Sequence, residues 1–305
     1  MRTPPWRRKA VTSITSRGFQ TLATVGGWSP WARPERYGLT RHEGLRYGER
    51  QEQVADLYVP ATPGPWPVAL YVHGGGFRAL SRRTHWLMAL AFARRGYLTY
   101  SVDYRLAPQH RFPAAAQDIC RALAWIAVHA PEQGGDLGRL VLSGESAGAN
   151  LALVGTLAAC SVRPEPWAAQ VRDSGLRPKA VVPFCGLHQV SQPARYDRGF
   201  PFQDVIDHTS DCYLGDLVGH ALADPLIEVE ALDSAQDWPA FFVPCGTADP
   251  IHQDSQRLVA ALRRLAVDVE GRDYPGEAHS FHGYIWREQA RQCWRDTFEF
   301  LDARL

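Results

Sequence analysis

Gly144-Glu145-Ser146-Ala147-Gly148 follows the apolar run at 139–142 and opens a second apolar stretch at 147–160 that is long enough for a helix. That order fits a strand, a very tight turn and a helix N-terminus. A serine at such a turn projects clear of the backbone. Side chains two positions to either side would collide, so both positions take Gly. Ser146 would then stand at a helix N-terminus, where the dipole favours developing negative charge. The stretch points to a nucleophile at the carboxyl end of a buried strand.

Outward from this turn, short apolar runs alternate with helical patterns. Residues 68–72, Val-Ala-Leu-Tyr-Val, are apolar at every position, as expected of a strand buried on both faces. Further strands are predicted at 97–102, 139–142, 179–184, 240–244 and 267–274, and helices at 84–95, 114–130, 147–160, 254–265 and 285–303. Such alternation implies βαβ units, a mostly parallel central sheet and helices on both faces, the α/β class. Ligands in such sheets bind outside the carboxyl ends of the strands. Two segments break the rhythm. Residues 1–45 lack clear periodicity, and 187–238 are irregular and punctuated by Pro193, Pro201, Gly215, Gly219 and Pro225. Long irregular stretches in compact domains tend to be lids or binding loops. The expected organisation is therefore an N-terminal cap segment at 1–45 and a catalytic domain at 46–305 with a cap or lid insertion at about 187–238.

The residues after each strand carry the chemistry. His73-Gly74-Gly75-Gly76-Phe77 comes directly after 68–72. Acyl transfer needs N–H donors aimed at a tetrahedral oxyanion, and consecutive glycines let the backbone approach and turn its N–H groups inward. No Gly-Lys-Ser/Thr follows, so this is not a phosphate loop. Asp249, in Gly246-Thr-Ala-Asp-Pro250, falls at the carboxyl edge of the sheet. His279, in Gly276-Glu-Ala-His-Ser-Phe281, lies between the last strand and the last helix. A neutral imidazole there could take the Ser146 proton and return it to the leaving group, with Asp249 orienting the ring. His282 competes for the role of base, and His279 is favoured because it lies nearer the strand end. His85, His110, His129, His188, His208, His220 and His252 show no ligand spacing, with surface positions expected for His220 and His252, and no metal site is indicated.

Bulk properties exclude other classes. Formal net charge is +1 with 45% hydrophobic and 21% charged residues, which fits a globular protein without a nucleic-acid partner. The basic start (Arg2, Arg7, Arg8, Lys9) lacks the apolar run of a signal peptide, and no stretch approaches the roughly 18 apolar residues of a membrane span. The six scattered cysteines read as reduced core thiols, giving an expected cytoplasmic location.

Taken in order, His73-Gly-Gly-Gly-Phe77, Tyr104-Arg-Leu-Ala-Pro108, Phe112-Pro-Ala-Ala, Gly144-Glu-Ser-Ala-Gly148, Asp249-Pro250 and His279 make the chain resemble the bacterial hormone-sensitive-lipase-like carboxylesterases over about residues 50–305. The resemblance implies an α/β-hydrolase sheet of about eight strands with a helical cap built partly from the N-terminus. It implies a Ser146, Asp249 and His279 triad, oxyanion donors at the N–H groups of Gly75, Gly76 and Ala147, and supporting roles for His73, Gly74 and Glu145. It implies short- to medium-chain acyl esters as small-molecule substrates, no cofactor, and a possible homodimer. Residues 104–108 and Asp118 would be structural. Glu145 departs from the Asp usual in the family, and its longer carboxylate could reach a different partner. The tryptophans of the N-terminal segment would supply an apolar lid. Two rival readings keep the fold: an amide hydrolase resembling arylformamidases, and a non-catalytic ligand-binding protein.

Overall fold

The computed structural model describes residues 5–196, 202–217 and 221–305. Its strands are β1 (Thr40–Arg46), β2 (Val54–Val59), β3 (Trp66–Val72), β4 (Leu98–Val102), β5 (Gly135–Glu145), β6 (Ala180–Phe184), β7 (Ala240–Gly246) and β8 (Val269–Tyr274). They form one eight-stranded sheet in the order β1-β2-β4-β3-β5-β6-β7-β8. From β4 to β8 every pairing is parallel, while β2 runs antiparallel to β1 and to β4. The α-helices are α1 (Pro5–Gly27), α2 (Trp86–Arg94), α3 (Ala114–Glu132), α4 (Ala147–Cys160), α5 (Pro166–Asp173), α6 (Phe202–Leu214), α7 (Pro225–Ala231), α8 (His252–Arg264) and α9 (Glu288–Asp302).

The two-residue side-chain period of β3 separates two cores. Val68, Leu70 and Val72 pack with Ile119, Leu123, Leu151 and Leu258 from α3, α4 and α8. Ala69 and Tyr71 face the opposite way, with Phe92 of α2 and Trp294 and Phe298 of α9. Helix α4 is buried from Ala147 to Ala159, which explains why its sequence is apolar on all sides. This is the α/β sheet with helices on both faces that the alternation predicts.

Several elements depart from the sequence reading. Residues 5–27 form a long helix although they show no clear apolar stripe. This helix lies on α6, where Arg8 pairs with Asp207 and Asp211, both at 3.2 Å. Tertiary docking stabilises α1 where periodicity gave no sign of it. The 187–238 segment, expected to be irregular, contains α6 and α7. Strand β1 escaped notice because it is a polar edge strand, with Thr40, Glu43 and Arg46 exposed or half-exposed. Each of the six cysteines is unpaired, and all except Cys160 are buried. Among the described residues, no helix is long and apolar enough to cross a membrane.

Candidate active site

The turn between β5 and α4 puts Ser146 at φ 53° and ψ −115°, a left-handed backbone that L-residues rarely adopt. Its N–H donates to Phe184 O at 2.9 Å, and its own carbonyl accepts from Leu187 N at 3.1 Å. The two glycines are required by contact. A Cβ on Gly148 would lie 2.1 Å from Val72 O, and one on Gly144 would lie 2.5 Å from Gly148 O. Positive φ recurs in the surrounding loops at Phe77 (60°), Leu80 (71°), Cys185 (39°) and Ser280 (58°).

The glycine loop after β3 is held from behind. His73 stacks on Tyr104 with ring centroids 4.3 Å apart, and the Tyr104 hydroxyl donates to His73 O at 3.0 Å. Burial, reinforced by nearby His85, pulls His73 down to about 3, so it stays neutral. Gly75 and Gly76 have φ of 109° and 59°, and a Cβ on Gly75 would meet Ala79 O at 2.1 Å. Ala107 N–H donates to Phe77 O at 2.8 Å. Arg105 grips buried Asp118 at 2.7 Å, and Gln53 Nε2 donates to the same carboxylate at 2.6 Å. The 104–108 segment and Asp118 thus buttress the loop.

Asp249 follows β7 and His279 follows β8. His279 Nδ1 lies 2.8 Å from Asp249 Oδ2, and Asp249 Oδ1 accepts the Ile251 N–H at 2.9 Å. Burial disfavours an imidazolium at His279, but the Asp249 carboxylate and Cys185 together outweigh it and raise the ring above the usual histidine range. His282 belongs to a different carboxylate. Its Nε2 is 3.0 Å from Glu145 Oε2, and His85 Nε2 is 2.9 Å from Glu145 Oε1. Burial works against the Glu145 charge, yet the two imidazoles keep its pKa well below the usual carboxylate value. Burial likewise opposes a charge on His282, but contacts with Cys185 and Glu145 raise it to about 9. Sequence reasoning missed His85 as a partner of Glu145. The one hint was the longer acid beside the serine. Cys185 Sγ, an Asp249 oxygen and a His279 nitrogen lie within 4.8 Å of one another, a donor set that could hold a metal ion.

Ser146, His279, Gly75 and Gly76 line one cavity of about 220 Å³, closed by Phe19 of α1 and by Val205, Ile206 and Thr209 of α6. A second, apolar cavity of about 250 Å³ shares Phe19, Glu145, Ser280 and Tyr284 with it and runs to Gly26, Trp86 and Met88. Trp86 Nε1 donates to Ala23 O at 3.2 Å, tying α2 to α1. The expected tryptophan lid is corrected here: Trp6, Trp28 and Trp31 are 73%, 75% and 60% exposed. Phe19 is the aromatic residue that α1 turns inward. Another cavity, of about 1040 Å³, lies at the amino ends of the strands beside Pro178, Pro239 and Ala240, away from Ser146. His252 bonds Asp273 at 2.6 Å, and His220 lies outside the described residues.

The family described as alpha/beta hydrolase fold matches residues 69–283. The chain belongs to this family, in its hormone-sensitive-lipase-like branch. Among curated relatives, this α/β hydrolase is similar to Esterase LipI of Mycobacterium tuberculosis, with 32% identity over 76% of each chain. It is also similar to Carboxylesterase NlhH of the same species, 32% identical over 72% of this chain and 66% of the relative. A hyperthermophilic esterase from Pyrobaculum calidifontis shares the fold, with a TM-score of 0.76, 22% identity and 99% of each chain covered.

Proposed function

We propose that this α/β hydrolase is a serine carboxylesterase that cleaves short- to medium-chain acyl esters through an acyl-enzyme. The observation that carries the reading is one shared cavity: it exposes Ser146 on its strained turn beside His279, whose other ring nitrogen is 2.8 Å from Asp249. In this reading His279 takes the Ser146 proton as Oγ attacks the ester carbonyl. The N–H groups of Gly75, Gly76 and Ala147 stabilise the oxyanion. The imidazolium, held by Asp249, protonates the departing alcohol, and the ring then activates water to release the acid. The esterase names of LipI and NlhH support the same chemistry. A 220 Å³ cavity, below the roughly 300–1,000 Å³ of drug-sized ligand sites, favours short acyl groups, with the adjoining apolar cavity as room for longer ones. Residues 1–45 and the insertion at about 187–238 act together as the cap, since Phe19 and α6 close the cavity.

The test is hydrolysis of p-nitrophenyl acetate, butyrate, octanoate and laurate by wild type and Ser146→Ala. The expected result is a maximum at short or medium chains and a loss of several orders of magnitude in the variant, by analogy with triad deletions of roughly a million-fold. Wild type inactive on every chain, or Ser146→Ala retaining activity, would overturn the reading.

A further inference from the structure

Cys185 stands just past β6 at φ 39°, and its N–H donates to Pro244 O of β7 at 3.2 Å. Its thiol comes to lie beside the candidate acid and base. Sγ of Cys185, a carboxylate oxygen of Asp249 and a ring nitrogen of His279 are all within 4.8 Å of one another. The three residues follow β6, β7 and β8, so they are remote in sequence and meet only at the carboxyl edge of the sheet. Cys185 and Asp249 are buried, and His279 is the member that opens to the cavity of Ser146. Acyl transfer gives a role to Asp249 and His279 but none to the thiol. A buried cysteine can serve as a small apolar residue, yet this one is not inert. Burial opposes a thiolate at Cys185, but the charges and hydrogen bonds of His279 and His282 outweigh it and lower its value. At Cys120 and Cys293, buried away from the site, burial wins and the thiol is raised.

We propose that Cys185, Asp249 and His279 form a site for Zn²⁺ or a divalent cation of similar softness, and that filling it shuts the triad off. The site stands on these three side chains alone; the inhibition rests on the esterase reading above. Thiolate, imidazole and carboxylate are the ligand types that zinc takes, and three protein ligands leave a fourth position for water. Bonds of about 2.0–2.3 Å in a tetrahedron hold ligand atoms about 3.3–3.8 Å apart. Donors already within 4.8 Å need only a small closing movement to reach that spacing. The charges balance as well, because a thiolate and a carboxylate together neutralise a divalent cation and spare the cost of a buried net charge. Nδ1 of His279 is the nitrogen that faces Asp249, at 2.8 Å. A cation bound there takes the place of the proton between them. Cys185 gives its proton to solvent, and the imidazole proton moves from Nδ1 to Nε2. Nε2 can then no longer accept from Ser146, and the nucleophile loses its base.

The experiment uses the full chain freed of metal with a chelator. Co²⁺ is the binding probe, because a thiolate ligand gives it a charge-transfer band in the near ultraviolet. The expected result is a single Co²⁺ per chain with that band, displaced by an equivalent of Zn²⁺. Cys185→Ser should lose the band and weaken Zn²⁺ binding at least about tenfold, the cost of losing even an outer partner of a ligand. Cys212→Ser removes the thiol 3.6 Å from His208 on α6 and should change neither. His279→Gln removes another ligand and should weaken Zn²⁺ binding likewise, which keeps the site testable if Cys185→Ser does not fold. Hydrolysis of p-nitrophenyl acetate by wild type should fall in kcat as Zn²⁺ fills the site and recover with chelator. No band in wild type, a band that survives in Cys185→Ser or vanishes in Cys212→Ser, or full turnover with the site occupied overturns the proposal. Binding through Cys185 in a chain that cleaves no ester supports the site and overturns the esterase reading alone.

Discussion

Glu145 Oε2 lies 3.0 Å from Nε2 of His282, so the residue preceding the candidate nucleophile is within ion-pair distance of the loop that carries the candidate base. His85 Nε2 approaches the other oxygen at 2.9 Å, and all three side chains are buried. This carboxylate therefore ties three loops together beneath the cavity. Its removal leaves two buried imidazoles without their anion. Glu145→Ala should lose about 3–5 kcal/mol of stability, the usual cost of breaking a buried ion pair from one side. Glu145→Gln, which keeps the shape and one acceptor, should lose less. Urea denaturation of the two variants checks the order; equal stability of Glu145→Ala and wild type would refute the tie.

In the proposed triad Asp249 would act through His279, whose Nδ1 lies 2.8 Å from Asp249 Oδ2. Asp249→Asn keeps the volume but turns an acceptor into a group that favours the wrong imidazole tautomer. Turnover should fall by about 10⁴ while the fold is retained, as for the same change in other triads. Steady-state kinetics beside circular dichroism tests this. Near-normal turnover in a folded variant would remove Asp249 from the mechanism.

Gly148 is set by close packing. An added Cβ would sit 2.1 Å from Val72 O and 2.6 Å from His73 O, both backbone atoms. Gly148→Ala must push α4 away from the β3 end, at a cost of about 1–3 kcal/mol or more, as in other overpacked sites. The same displacement moves Ser146 relative to the glycine loop, so turnover should fall more steeply than stability. Thermal melts and kcat on one ester measure both; an unchanged kcat would contradict the packing argument.

Asp56 gives the acid limit of stability. It is buried and bonded by Arg41 at 2.6 Å, Arg82 at 2.8 Å and the Gly44 N–H at 2.9 Å. Burial alone would raise its pKa, but these donors outweigh burial and lower it. A depressed carboxylate stabilises the fold fully above the unfolded value of about 3.9, and this contribution fades as pH falls through the lower folded value. Asp56→Asn should be less stable than wild type at pH 7, and the gap should narrow from about pH 4 downward. Melting curves across that range decide it, and a gap independent of pH would refute the assignment.

The seating of α1 should control the longer substrates. Arg8 holds Asp207 and Asp211 at 3.2 Å, and Trp86 Nε1 reaches Ala23 O at 3.2 Å. Together these place Phe19 over the cavity. A combined Arg8→Ala and Trp86→Phe variant should loosen α1, raise its susceptibility to limited proteolysis and raise KM for octanoate esters more than for acetate. An unaltered chain-length profile, despite a cleavable α1, would separate the helix from substrate binding.

The sequence by itself determined the α/β sheet, because short, largely apolar runs, led by the fully apolar Val68–Val72, alternate with helices that carry one clear stripe or, in α4, are almost wholly apolar. It also located the Gly144–Gly148 turn, the glycine loop and the loops bearing Asp249 and His279, since each follows a buried strand and the carboxyl edge is where such sheets place their sites. Only the tertiary structure decided the rest. Helix α1 has no stripe to read, and it is held by ion pairs to a helix far along the chain. The Glu145 contacts with His85 and His282 join residues remote in sequence, which no local spacing encodes. Phe19, rather than the exposed tryptophans, covers the cavity because of how α1 is rotated against α6. Local patterns report backbone hydrogen bonding and burial; contacts between distant segments depend on the packing that brings them together.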